Sequence, residues 1–162
     1  MVGICSSLEM FHAAALVHDD LLDQSDTRRG APSIHRRFEQ LHKDSGWVGS
    51  PERFGVAGSV LVGDLMLGWS SELFGNALLA APGSDIEAAA RSEFSKMRVE
   101  VMAGQYLDIL EENAATTRPI EEAVGRANRV ILFKTAKYSI EAPLLIGAAF
   151  AGAGPATLRG LS

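Results

Sequence analysis

Three aspartates, Asp19, Asp20 and Asp23, stand just ahead of two arginines, Arg28 and Arg29, and a glycine, Gly30. On a helix Asp19 and Asp23, four residues apart, lie one above the other, with Asp20 beside them. Carboxylates so placed repel one another, and near a helix C-terminus the dipole adds to the cost. A hard divalent cation with oxygen ligands is the natural compensation. Mg2+ takes one or two carboxylates and fills its other positions with water and substrate phosphates, which leaves room for a diphosphate. The arginines suit the same chemistry, since a guanidinium fork binds phosphate bidentately and Gly30 lets the chain turn sharply. Taken alone, an Asp-x-x-x-Asp spacing is explained at least as well by a solvated acidic helix end; the arginines shift the balance towards phosphate binding, with surface salt bridges as the lesser alternative.

Other candidates are scattered. His12 is seven residues before Asp19, on the same helical face two turns back, although a histidine on an apolar helix is more often packed. Gln105 and Asp108 fall one turn apart on a later predicted helix, and Lys134 and Thr135 on another. Each is unremarkable singly, a lone lysine being normally solvent-facing.

The elements that must position these residues read as helices. Val2 to about Asp23 is free of proline, with Leu8, Phe11, Ala15 and Leu22 at helical spacings. Gln24 to Pro32 is polar and loop-like, and a short helix is expected over Ser33 to Leu41. Ser50-Pro51-Glu52 has the composition of a helix start, and the helix should run to about Leu79, where Ala81-Pro82-Gly83 breaks it. Ser84 and Glu87 make a capping-box pattern opening a helix to about Glu112. Pro119-Ile120-Glu121-Glu122 opens another, to about Glu141, before Pro143 forces a break or kink. Gly152 to Ser162 looks loose. No alternating strand pattern is convincing, so the fold class is all-α.

With 162 residues, 47% of them hydrophobic, the chain can bury a core, and one globular unit is the default. A net charge of -5 argues against general affinity for nucleic acid or anionic lipid. Any anion must be caught by a local basic cluster. The single cysteine, Cys5, cannot close an internal disulfide, which fits a cytoplasmic location. Glu9 and His12 interrupt the apolar start and the Ala142 to Phe150 stretch is short, so neither signal peptide nor stable membrane insertion is expected.

The run Leu16-Val17-His18-Asp19-Asp20-Leu21-Leu22-Asp23, followed by Asp26-Thr27-Arg28-Arg29-Gly30, resembles the first aspartate-rich motif of trans-isoprenyl (polyprenyl) diphosphate synthases. Supporting matches follow in order at Gly63-Asp64-Leu65, Gly104-Gln105-Tyr106-Leu107-Asp108, Lys134-Thr135-Ala136 and Tyr138-Ser139, with Glu9 to His12 ahead of the motif. The resemblance implies about half of the isoprenoid-synthase helical bundle, a partial domain over residues 1–162. It implies condensation of isopentenyl diphosphate with an allylic prenyl diphosphate, Mg2+ as cofactor, and a homodimer in the full-length form. By the resemblance Asp19, Asp23 and Asp20 hold the metal, while Arg28, Lys134, Thr135 and nearby Gln105 hold the allylic diphosphate. Arg29 and His12 match positions that bind isopentenyl diphosphate. The catalytic set is thus Asp19, Asp20, Asp23, Arg28 and Lys134.

Residues a turn or so before the first aspartates face the growing tail in this family, and here they are Ala14 and Ala15. Small side chains leave that floor open, with Phe11 one turn deeper as the next plug, which favours geranylgeranyl diphosphate as product. Core packing accounts for Phe11 as well. The second aspartate-rich motif and the early Gly-Lys-Arg element of the family are not found in the sequence, so little or no activity is expected of the chain alone. The alternative is a non-catalytic subunit that binds a complete synthase.

Overall fold

The computed structural model describes residues 1–81 and 83–162. Pro82, at the centre of the expected helix break, lies outside the described residues. The chain gathers into two compact units, Met1–Ala77 and Leu78–Ser162.

In the first unit, α1 (Val2–Leu22) leads into a minimal hairpin, β1 (Thr27–Arg28) and β2 (Ala31–Pro32), followed by α2 (Ile34–Asp44) and α3 (Pro51–Leu78). The hairpin is a small departure from the loop expected there. Antiparallel pairing of Thr27 with Pro32 and Arg28 with Ala31 leaves Arg29 and Gly30 as a two-residue turn. Ile4, Phe11, Ala14 and Val17 are the buried apolar residues of α1.

Helices α1 and α3 run side by side in opposite directions. Gly3 meets Ala77, Ser7 meets Ser70, and His18 meets Gly63. Ser7 Oγ donates to the Ser70 carbonyl at 2.8 Å and Ser70 Oγ returns a 2.8 Å bond to the Ser7 carbonyl, both residues being fully buried. That exchange satisfies two polar groups that would be expensive to bury unpaired, and it fixes the register of the helix pair. Gly55 and Gly58 bring α2 equally close, against the His35 carbonyl and the Phe38 ring. Phe54 joins Phe38, His42 and Trp47 in an aromatic cluster with ring centroids 5.3 to 6.0 Å apart. Ser50 caps α3 as expected, accepting from the Arg53 amide at 3.1 Å. By length and composition α3 is the one described helix apolar enough to cross a membrane, and Val56, Val60, Leu61, Leu65 and Trp69 along it are exposed.

The second unit is built on α4 (Ser84–Ala114), which contacts a widened helical segment over Ile131–Glu141 and then α6 (Ala142–Phe150). Its buried residues Ala90, Phe94, Met97, Val101 and Gly104 recur at alternating steps of four and three, a seam along one helical face. Two 3-10 turns (Ala115–Thr117 and Ile120–Glu122) and α5 (Ala123–Val130) connect α4 to that segment, and α7 (Pro155–Leu161) closes the chain.

Arg126, 5% exposed, clasps this connection. It donates to Glu111 Oε2 and to the Pro119 carbonyl, both at 2.8 Å, and Arg118 reaches the other Glu111 oxygen at 2.6 Å. These hydrogen bonds, Arg126 first, hold the Glu111 carboxyl below its ordinary pKa.

Three expectations need correction. Gly83, with extended backbone, is the N-cap of α4, and Ser84 is already helical, so no side-chain cap bond forms. Pro143 does not break the chain's helical course. It stands in the first turn of α6, where a missing N–H is tolerated, and the widened segment comes before it. Residues 155–161 are a helix rather than loose chain, starting at Pro155 in its first turn.

Candidate active site

The acidic cluster sits where α1 ends. Asp23 is its C-cap and is exposed, Asp19 is half-buried one turn before it, and Asp20 is 3% exposed. Spacing placed the three carboxylates together, but their environments differ.

Asp20 Oδ1 accepts from Arg28 Nε at 2.8 Å and from Arg28 Nη2 at 2.5 Å. The same Nη2 lies 3.2 Å from Asp19 Oδ2. Arg28 therefore neutralises part of the cluster directly, and these bonds, that to Asp20 foremost, raise its pKa above the ordinary arginine value. The pair pins the base of the hairpin to the end of α1. The far side of the hairpin is tied to α2: Arg36 Nε donates to Asp26 Oδ1 at 2.7 Å, and the Ser33 amide donates to the Asp26 carbonyl at 3.0 Å.

Between these anchors the turn residues Arg29 and Gly30 have φ of 52° and 79°. Positive φ at both central positions defines a type I′ turn, the form that suits a two-residue hairpin. Gly30 adopts it freely, whereas Arg29 is an exposed, charged side chain held in left-handed backbone.

His12, Ala15, Asp19 and Asp23 share one side of α1, and Phe11 and Ala14 are buried, at 1% and 0% exposure. His18, the residue before Asp19, rests on α3, with Nε2 3.6 Å from Asp64 Oδ1 and Gly63 beneath its ring. Gly63-Asp64 thus supports the α1 end through His18, a role that the linear motif did not reveal.

The donor set fits Mg2+ in kind, being hard carboxylate oxygens with two of the three, Asp19 and Asp23, a turn apart. Among the described residues no group of three or more His, Cys, Asp and Glu side chains is gathered as a ready-made metal cage.

In the second unit, Lys134 and Thr135 fall inside the widened segment, whose hydrogen bonding is that of a π-helix, a form frequent at functional sites. Lys134 Nζ donates to Asp108 Oδ2 at 2.5 Å. Gln105 is on α4 one turn before Asp108, and its buried Nε2 is one of a few such atoms with no hydrogen-bond partner among the described residues. A buried amide donor left in that state is costly and suits a ligand oxygen. Gly104 is the residue of this group that spacing alone passed over, whereas Asp108 is a candidate from the sequence, one turn from Gln105. The buried seam adds weight to it: the step after Gly104 is Asp108, a carboxylate where an apolar residue is due.

A family model described as Polyprenyl synthetase matches residues 2–161. The chain is 31% identical over 107 residues to a geranylfarnesyl diphosphate synthase of Methanosarcina mazei, covering 66% of this chain and 28% of that protein. It is 28% identical over 135 residues to a geranylgeranyl diphosphate synthase of Sulfolobus acidocaldarius, covering 74% and 36% respectively. Among solved structures it is similar to a geranylgeranyl pyrophosphate synthase of Corynebacterium glutamicum complexed with isoprenyl diphosphate and magnesium. That likeness has a TM-score of 0.89 at 41% identity, over 98% of this chain and 42% of the other. The chain thus spans between 28% and 42% of the length of these relatives.

Proposed function

The chain belongs to the polyprenyl synthetase family, and from that premise we propose that it carries the first acidic wall of a trans-prenyl diphosphate synthase site. The reaction is condensation of isopentenyl diphosphate with an allylic prenyl diphosphate. The allylic carbon–oxygen bond ionises, the isopentenyl double bond attacks the cation, and a proton is lost. No side-chain nucleophile is needed.

The observation that carries this reading is the Asp19–Asp20–Arg28 junction, with two carboxylates and a guanidinium interlocked at the end of one helix. Asp19 and Asp23, with Asp20 beside them, would hold Mg2+, which when bound supplies positive charge to the departing diphosphate. Arg28 spends Nε and one terminal nitrogen on the aspartates, and its other terminal nitrogen carries donors suited to a phosphate oxygen. Arg29 and His12 bind isopentenyl diphosphate, and Lys134, Thr135 and Gln105 bind the allylic diphosphate. The buried Gln105 amide supports the last assignment. The small Ala14 and Ala15 set product length, with Phe11 as the plug behind them, and geranylgeranyl diphosphate is the product.

Two of the named relatives are geranylgeranyl diphosphate synthases, which supports that choice. We further propose a cytoplasmic protein, homodimeric in its full-length form, with no stable membrane insertion, and little or no turnover by the 162 residues alone. Labelled isopentenyl diphosphate, an allylic diphosphate and Mg2+ are to be incubated with this chain and with the same chain extended by the rest of a family relative. Condensation is expected only from the extended form, with a geranylgeranyl product on chromatography. Robust turnover by the short chain overturns its assigned inactivity, a farnesyl product overturns the length assignment, and an inactive extended chain overturns the reading.

A further inference from the structure

We infer that α4 positions Lys134, through a close backbone approach at Gly104 and an ion pair from Asp108. The inference rests on the diphosphate-binding role proposed for Lys134.

A β-carbon at Gly104 would lie 2.3 Å from the Lys134 amide nitrogen, 2.5 Å from the Phe133 carbonyl carbon and 2.7 Å from Lys134 Cα. All three neighbours are backbone atoms, so no side chain can swing aside. Any residue but glycine would drive the two helices about 1 Å apart at Lys134 itself. Not every helical glycine of this unit does such work. Around Gly125 and Gly147 the space for a β-carbon is open.

The second contact comes from the same helix one turn on. Asp108 Oδ2 takes the Lys134 ammonium at 2.5 Å, at the point where the apolar seam Ala90 to Gly104 would next call for a buried side chain. Gly104 fixes where the Lys134 backbone stands, and Asp108 fixes where its charge points. With the lysine 24% and the aspartate 39% exposed, solvent screens their attraction, so the pair acts more on orientation than on charge balance. A lysine side chain has several rotatable bonds, and restricting it before an anion arrives removes part of the ordering loss on binding. The π-helical turns carrying Lys134 give the backbone a course that an α-helix would not, and α4 holds that course from outside.

The test is calorimetric titration of the full chain with inorganic diphosphate in Mg2+, at low temperature, alongside melting curves. Lys134→Met is expected to weaken binding about tenfold, as loss of a charge-assisted contact does. Gly104→Ala should lower the melting temperature and weaken binding about as much. Combined with Lys134→Met it should weaken binding no further than Lys134→Met alone, because both changes act on one contact. Gly125→Ala should leave binding unchanged and raise the melting temperature slightly.

Full affinity in Gly104→Ala, or weakening that adds to that of Lys134→Met, overturns the inference, since a merely structural defect would add. Should Gly104→Ala fail to fold, Asp108→Asn decides. About threefold to tenfold weaker binding with Lys134 present, and no effect in the Lys134→Met background, upholds the inference. Equal effects in both backgrounds overturn it. Absence of diphosphate binding by the unmodified chain overturns the functional reading itself, before any variant is compared.

Discussion

Replacing Arg29 by asparagine should make the protein more stable and less able to bind diphosphate. Arg29 holds φ of 52° as the first central residue of a type I′ turn, with Gly30 at 79°. For an ordinary L-residue the left-handed region costs roughly 1 to 2 kcal/mol, while asparagine enters it far more readily and leads the preferences at this turn position. The hairpin cannot relax the strain by shifting. Arg28 is bonded to Asp20 at 2.8 Å on one side, and Arg36 to Asp26 at 2.7 Å on the other. The Arg29 side chain is exposed, and its removal forfeits little packing. Arg29→Asn should therefore gain about 0.5 to 1 kcal/mol, a rise of about 1–4 °C in melting temperature for a chain of this size. The same variant should bind inorganic diphosphate several-fold more weakly. Arg29→Lys keeps a charge at the tip without relieving the turn, and should leave the melting temperature unchanged. Circular-dichroism melts and calorimetric titration read both quantities. A fall in melting temperature would show that the turn is unstrained, and unchanged diphosphate affinity would remove Arg29 from the binding site.

Asp20→Asn gives up a buried, doubly bonded carboxylate and should destabilise the first unit by about 1.5–3 kcal/mol in urea. Yet it should weaken Mg2+-dependent diphosphate binding less than Asp19→Asn, and the opposite order would refute the division of labour among the aspartates. Gly55→Ala places a β-carbon 2.5 Å from the His35 carbonyl oxygen and should cost about 1–3 kcal/mol, measured as a lower urea midpoint. The Glu111 carboxyl titrates below its ordinary range because Arg126 and Arg118 bond its charged form. Its stabilising contribution is thus complete above the unfolded carboxyl pKa, about 4.3, and is lost as pH falls through the lowered folded value. Melting temperature should drop more steeply below about pH 4 in the unmodified chain than in Glu111→Gln, and parallel curves would contradict the assignment.

The course of the helices was legible because periodicity and punctuation agreed. Proline-free apolar spacing marked α1 to within a residue of its end, and Ser50-Pro51-Glu52 marked the start of α3 with the cap bond in place. Reading failed where one residue could serve two local roles. Ser84 has the right neighbours for a cap, but Gly83 reaches the extended conformation first, and the helix begins one position earlier than a Ser84 cap would set it. Pro143 signals a break only when it interrupts an ordered ladder, whereas here it falls in a first turn. The acidic cluster was equally visible in outline and blurred in detail. Spacing cannot distinguish Asp20, turned inward onto Arg28, from Asp23, exposed at the helix end, because that difference depends on the return of the chain through the hairpin.

The deepest loss of information concerns glycine. Within a helix it counts in a sequence as a weak point, worth roughly 1 kcal/mol against alanine. In this protein the opposite value is realised at several points where two helices meet closely. A β-carbon at Gly63 would sit 2.1 Å from the His18 ring, one residue from Asp19, and one at Gly104 would sit 2.3 Å from the Lys134 amide. Each contact bears on a residue singled out for its chemistry or its neighbour, His18 beside Asp19 in the first unit and Lys134 in the second, so the propensity given up along one helix is exchanged for placement of a group on another. Hydrophobic periodicity records which side of a helix is buried but not how near the next backbone comes. The geometry of these charges is therefore written in part in residues that carry no charge and no side chain.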